Sequence, residues 1–290
     1  MQIISASRRT DLISFFFDSF YNSLKKEQAE VIGPFGRYYK VELSPENVHS
    51  FVLWSKNFNN IIKNRKNILK LLKKYNQTYL LFTITGLGGT SIERMIPSPD
   101  ITLSQIKPLT ELFGSERVAI RFDPILFYKE KNMLKTNFYF FEELINFINK
   151  TDIKRVIFSF TQYYEKVKKR FDYAGIEPID PSLDEKLRYT EKMVNIVKGT
   201  KIKLYSCSQD FLLSVKGINK SRCIDADYLS EIHPLKWRVE YKKDKGQREE
   251  CGCSASKDIG SYSQRCPIPC LYCYANNKIK VEIKEPQKHK

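Results

Sequence analysis

The 290-residue chain is 42% hydrophobic and 13% aromatic, which places it with globular rather than disordered sequences. Lys and Arg number 49 against 33 Asp and Glu, a net charge of +16 that fits either a polyanion partner or a generally lysine-rich surface. No apolar run approaches the roughly 18–20 residues of a membrane span, and the basic residues of "MQIISASRRTDLISFFF" follow its first apolar stretch instead of preceding it, so the expectation is a cytoplasmic protein without a signal peptide.

In chain order, β-branched and aromatic runs predict strands at Gln2–Ala6, Phe51–Trp54, Tyr79–Thr85, Val118–Phe122, Arg155–Phe160 and Lys201–Tyr205. Helices are predicted between them at about Asp11–Lys25, Asn59–Tyr75, Pro108–Phe113, Phe138–Asn149 and Leu183–Lys198. The segment Asn59–Tyr75 carries six basic and no acidic residues, with Ile61, Ile68, Leu72 and Tyr75 on one face. The last helix has a capping box in Ser182 and Glu185 and a stop at Gly199.

Strands alternating with helices imply βαβ units and a parallel sheet, so the expected fold is α/β, a full or partial TIM-like β/α barrel. A doubly wound open sheet is the alternative, but no G-x-G-x-x-G follows a strand. "TGLGGT", Thr85–Thr90, lacks the Lys-Ser/Thr of a phosphate loop and reads as a turn. The expected organisation is a barrel over 1–205, then a cysteine-rich metal-binding segment over 206–290 packed on its mouth.

Several strands end in polar residues, and in a β/α barrel those ends converge on the site. Arg8, Arg9 and Asp11 follow the first strand, Lys56 the second, and Arg121 and Asp123 flank Phe122. The cations suit phosphate or carboxylate groups, although Arg121 and Asp123 suit a buried pair equally well. Adjacent Arg8 and Arg9 point opposite ways on an extended segment, so at most one faces a site and the other is expected to pair with Asp11 or a surface carboxylate.

All seven cysteines follow Tyr205, an odd number that argues against a disulfide framework. The only histidines, His49, His233 and His289, make no pair at metal-ligand spacing. In "CPIPCLYCYANN", Cys266, Cys270 and Cys273 are spaced to wrap three thiolates around one iron–sulfur cubane, leaving one iron open to a small molecule. Zinc is the alternative, drawing a fourth ligand from Cys251 or Cys253. Cys207, Cys223, Cys251 and Cys253 have the count for a closed site, a second cluster or structural zinc, unless Cys207 and Cys223 are simply buried thiols.

"CPIPCLYCY" resembles the C-x-x-x-C-x-aromatic-C signature of the radical S-adenosylmethionine superfamily, and its tyrosines are similar to those of the spore photoproduct lyase branch. More broadly, Ile4–Asp11 ("ISASRRTD") and Asp244–Asn276 resemble the opening and closing segments of an uncharacterised bacterial domain family. The superfamily resemblance implies a [4Fe–4S] cluster whose open iron binds S-adenosylmethionine, and reduction to a 5′-deoxyadenosyl radical by an electron donor such as flavodoxin or ferredoxin. It implies cofactor contacts from Tyr272 and Asn276. The triplet departs from the superfamily in following the last strand instead of the first, as in a permuted barrel, and no Gly-Gly-Glu follows a strand.

The functional expectation is therefore a radical S-adenosylmethionine enzyme, with nucleic acid or a nucleotide among the substrate classes that the charge suits. The competing expectation is a zinc-stabilised nucleic-acid-binding protein without catalysis. Oligomeric state is not legible in the sequence.

Overall fold

The principal sheet contains β1 (Gln2–Ala6), β2 (Val48–Ser55), β3 (Thr78–Thr83), β4 (Val118–Ile125), β5 (Arg155–Phe160), β6 (Lys203–Ser206), β7 (Ile218–Lys220) and β8 (Lys257–Asp258). This is a computed structural model that describes residues 1–267 and 270–275. The spatial order is β7-β6-β5-β4-β3-β2-β1-β8, and every pairing is parallel. Chain order and spatial order thus agree, except that β8 returns to lie outside β1. The architecture is mixed α/β with a large parallel eight-stranded sheet.

Barrel closure is not found: β7 and β8 remain edges, with no ladder between them among the described residues. The two edge strands are short, three residues in β7 and two in β8, and so offer few backbone groups for a further ladder. Both lie in the same sheet as the strands before residue 205, so the sheet runs across position 206 instead of ending there.

The sequence of β3 explains its central place. All six of its residues are buried, as expected of a parallel strand covered on both faces. Leu80 and Phe82 join the larger core with Phe51, Leu53, Ile120 and Phe158, packed against Ile68 and Leu72 of the helix Arg65–Leu72. Tyr79 and Leu81 point the other way, with Val52, Ala119 and Ile157, onto Cys223, Ile224, Leu229, Cys251 and Cys253. One face of the sheet is therefore covered by helices and the other by the cysteine-rich segment. Each fully buried Phe or Leu contributes roughly 2–3 kcal/mol relative to an exposed one.

Two predicted helices are each interrupted. Leu12–Phe15 and Phe17–Lys26 meet at Phe16, and Asn59–Lys63 and Arg65–Leu72 meet at Asn64, where φ is −97° and ψ is 18°. Ile61, Ile68, Leu72 and Tyr75 are all buried, so the predicted apolar face survives the break. Leu183–Val197 carries its capping box, with Gly199 in the left-handed region at φ +81°. The predicted set omitted the helix Glu165–Tyr173 and the antiparallel strands Gln28–Ile32 with Tyr38–Glu42 and Phe127–Glu130 with Met133–Thr136 and Glu177–Ile179.

Candidate functional site

The carboxyl end of β1 is fixed by β8. Asp258 Oδ2 accepts from Ser5 Oγ at 3.1 Å and from Arg8 N at 2.9 Å, while Oδ1 accepts from Ser7 Oγ at 2.6 Å and from Gly260 N at 2.8 Å. A Cβ on Gly260 would lie 2.0 Å from Ser7 Oγ, so only glycine allows this approach. The "ISASRRTD" segment and the "DIG" segment, at opposite ends of the sequence, are thus one structural unit.

Asp11 caps the helix Leu12–Phe15 by accepting from Ser14 N at 2.9 Å, and it also accepts from Lys56 N at 2.9 Å and Ser55 Oγ at 2.8 Å. Enclosure pushes its carboxyl up to about 6 despite those donors. Arg8 does not use Asp11; its Nη1 pairs with Asp244 at 2.8 Å. Lys56 Nζ reaches Glu93 Oε1 at 2.9 Å.

Glu93 was not singled out from the sequence. It is fully buried, and its Oε1 also accepts from Thr85 Oγ1 at 2.8 Å and from the hydroxyl of Tyr272, whereas Oε2 has no hydrogen-bond partner among the described residues. The glycines of "TGLGGT" explain its placement. A Cβ on Gly88 would lie 1.9 Å from Pro97 O, so the loop doubles back tightly and Gly88 bridges Glu93 at the end of β3. Burial, then Glu93, pushes the Tyr272 hydroxyl well above its ordinary value.

The cysteine triplet lies beside this carboxylate. Cys270 is buried against Ile96, with Cys266, Cys273, Tyr272 and Phe15 packed on the same cluster. Arg170 Nη1 donates to the backbone oxygens of Cys270 at 3.3 Å and Leu271 at 3.4 Å. Burial, then Glu93, pushes the Cys270 thiol well above its usual range. Asn276 lies outside the described residues.

Farther along the strand ends, Arg121 pairs with Asp123, which also accepts from Ser159 Oγ. Trp54 lies within reach of two guanidiniums, with Arg8 at 5.5 Å and Arg121 at 5.1 Å from its ring centre. Among the described residues, Arg8 Nε and Nη2 and Arg121 Nε are buried without hydrogen-bond partners. Nearby, Cys207 Sγ is 3.8 Å from Cys223 Sγ, and Cys223, Cys251 and Cys253 are buried in one cluster with Cys207 packed against it. As the thiols stand, no group of three or more His, Cys, Asp or Glu among the described residues is arranged to hold a metal ion.

A cavity of about 650 Å³ opens beside Cys266 and Tyr274, lined among others by Arg9, Lys257, Tyr262 and Arg265. The Arg9 guanidinium stacks 4.3 Å above the Tyr262 ring. Among the described residues, neither Arg9 nor Lys257 nor Arg265 has a carboxylate within ion-pair distance, while Lys56 and Arg121 are both paired within the protein.

These features define a mixed α/β protein whose strand ends gather two cysteine sets, a buried acid and a basic cavity. The chain matches the family described as Domain of unknown function (DUF1848) over residues 3–275, and it belongs to that family. No curated protein matches it. Among solved structures it is similar to that of a monomeric dihydrodipicolinate synthase variant, at 10% identity over 76% of this chain and 69% of that one. The TM-score is 0.29, too low for the likeness to carry an argument. No helix among the described residues is long and apolar enough to cross a membrane.

Proposed function

We propose that the chain is a radical S-adenosylmethionine enzyme, built on a β/α barrel left open at one seam, with an iron–sulfur cluster held by Cys266, Cys270 and Cys273. The observation that carries this reading is the unpartnered, buried Oε2 of Glu93 beside Cys270. Three thiols suit three irons of a cubane. An unsatisfied buried carboxylate oxygen next to them suits the ammonium group of an aminocarboxylate cofactor. When bound, cluster and cofactor together supply one-electron cleavage of a sulfonium and abstraction of a hydrogen atom, with electrons from a flavodoxin- or ferredoxin-type donor.

The chain's own residues then bind and enclose. Lys56, Thr85 and Tyr272 all donate to Oε1 of Glu93, so the carboxylate is held with Oε2 free. Tyr272, within the triplet segment, ties that segment to Glu93 through its hydroxyl. Arg9, Lys257 and Arg265, without carboxylate partners among the described residues, suit an anionic substrate such as a nucleotide in the adjoining cavity.

The test is anaerobic reconstitution of the wild type and of a Cys266→Ala/Cys270→Ala/Cys273→Ala variant, followed by iron and sulfide analysis and a dithionite-driven assay for 5′-deoxyadenosine. Loss of about four irons and of cofactor cleavage in the variant is expected. Iron unchanged between the two, or no deoxyadenosine under any reductant, would overturn the reading. Zinc alone, with binding of single-stranded nucleic acid, would favour the non-catalytic binding protein that the +16 charge also suits.

A further inference from the structure

The other four cysteines sit where the sheet does not close. Cys207 directly follows β6, Cys223 lies just beyond β7, and Cys251 and Cys253 precede β8. Their backbones are tied together. Cys207 N donates to Phe158 O at 2.8 Å, Ser221 N to Ser206 O at 2.9 Å, and Ser254 N to Ile224 O at 2.8 Å. The last bond holds the neighbours of Cys253 and Cys223 together. A Cβ on Gly252 would lie 3.1 Å from both Ser221 O and Arg222 Cγ, so the "CGC" spacing lets this segment press against the chain leaving β7.

We propose that Cys207, Cys223, Cys251 and Cys253 bind one zinc ion as a tetrathiolate, and that this ion joins the two edges of the sheet across the β7–β8 seam. This does not rest on the cluster assigned above to the other three cysteines. Thiolates about 2.3 Å from a tetrahedral metal lie about 3.8 Å apart. Cys207 and Cys223 already have that separation, 3.8 Å. In a four-iron cluster, iron and sulfide lie between the thiolates and hold them farther apart.

The protein's charges are arranged for such a group. Four thiolates and one divalent cation carry two negative charges, and Cys223, Cys251 and Cys253 are buried. Arg8 is close to Cys253, Cys223 and Cys251, and Arg121 to Cys223 and Cys207. Arg8 Nε and Nη2 and Arg121 Nε, buried with no partner among the described residues, are donors that thiolate sulfur can accept. All four thiols share one cluster, with Cys223, Cys251 and Cys253 buried and Cys207 packed against them.

The experiment compares zinc, iron and sulfide per chain in the full-length wild type, in the Cys266→Ala/Cys270→Ala/Cys273→Ala variant and in a Cys223→Ser/Cys253→Ser variant. About one zinc is expected in the first two, falling at least tenfold in the third. Because the Ser variant could fail to fold, the wild type is also stripped with chelator and titrated with cobalt(II). Uptake of about one equivalent, with thiolate-to-cobalt charge-transfer bands and tetrahedral ligand-field bands, is expected. Stripping should also speed hydrogen exchange in Ile218–Lys220 and Lys257–Asp258, with restoration on adding zinc. About four irons with sulfide retained by the triplet variant would overturn the proposal in favour of a second cluster. Cobalt uptake without thiolate bands would overturn it in favour of unligated thiols, and either result would leave the triplet assignment intact.

Discussion

Replacing Glu93 by alanine removes the acceptor of three donors, buried Thr85 and part-buried Lys56 and Tyr272, and strands the Lys56 ammonium. The Glu93 side chain is 0% exposed and that of Lys56 15%, so the lysine reaches little water to compensate. Breaking a buried pair from one side costs about 3–5 kcal/mol, and the residual access of Lys56 places the loss near 3 kcal/mol. At about 2–4 °C per kcal/mol this is a fall in Tm of roughly 6–12 °C. A Lys56→Met/Glu93→Leu variant removes both charges and fills the space, so it should lose less than Glu93→Ala alone. Calorimetry and urea midpoints on the single variants and the double variant give the coupling, expected at about 1.5–3 kcal/mol. A loss below about 1 kcal/mol for Glu93→Ala, or simple additivity, would refute the claim that Lys56 holds Glu93 in place.

Asp258→Ala leaves two serine hydroxyls and two backbone N–H groups without their acceptor, so it should cost about 3 kcal/mol or more in urea unfolding, and a loss under about 1 kcal/mol would show that β8 does not pin β1. Asp11 has a folded value raised from 3.8 to about 6, so the folded state binds more protons between those values and stability should fall by at most about 3 kcal/mol as pH rises from about 4 to 6. Asp11→Asn should lack that slope in urea midpoints measured across the window, and an unchanged slope would exclude Asp11 as its source. His49 and His233 are buried with rings 4.6 Å apart, and burial lowers both, so the unfolded chain takes up protons first and stability should fall as pH drops below about 6.5. The two slopes oppose each other, so each is read as the difference from its own variant, here His49→Gln/His233→Phe, which should lose less between pH 7 and 5.

The sheet was legible where burial on both faces left continuous apolar runs: β1 and β5 lie at their predicted bounds. β7 and β8 are too short for any periodicity, and they are strands only because β6 and β1 offer them a ladder. The helix breaks at Phe16 and Asn64 carry no Gly or Pro, so the apolar pattern ran through them. Polar residues at the strand ends were visible as candidates, but their partners were not. Arg8 meets Asp244 and Asp258 across more than 230 positions, a pairing that no local pattern encodes. Glu93 was hidden differently, in a loop beyond β3, and the only local signal was the close pair Gly88–Gly89, whose tight return delivers it to the strand end.

Sheet order also accounts for the position of the cysteine triplet late in the chain. A loop that follows β8 emerges beside β1, because β8 pairs with β1 through Ile4–Lys257 and Ser5–Asp258. From there it reaches the loops of β2 and β3, where Tyr272 meets Glu93 and Lys56, and Cys270 meets Ile96. A loop following β1 would begin at the same corner of the sheet. Cys270 and Lys56 are far apart in sequence, and their nearness in space follows from the order of the strands. The same return leaves β7 and β8 as the sheet's only unpaired edges among the described residues, and four of the seven cysteines lie on the segments flanking that gap. Strands of three and two residues give those edges little ladder, so the backbone bonds from Ser221 N to Ser206 O and from Ser254 N to Ile224 O do much of the work of holding the flanking segments in place.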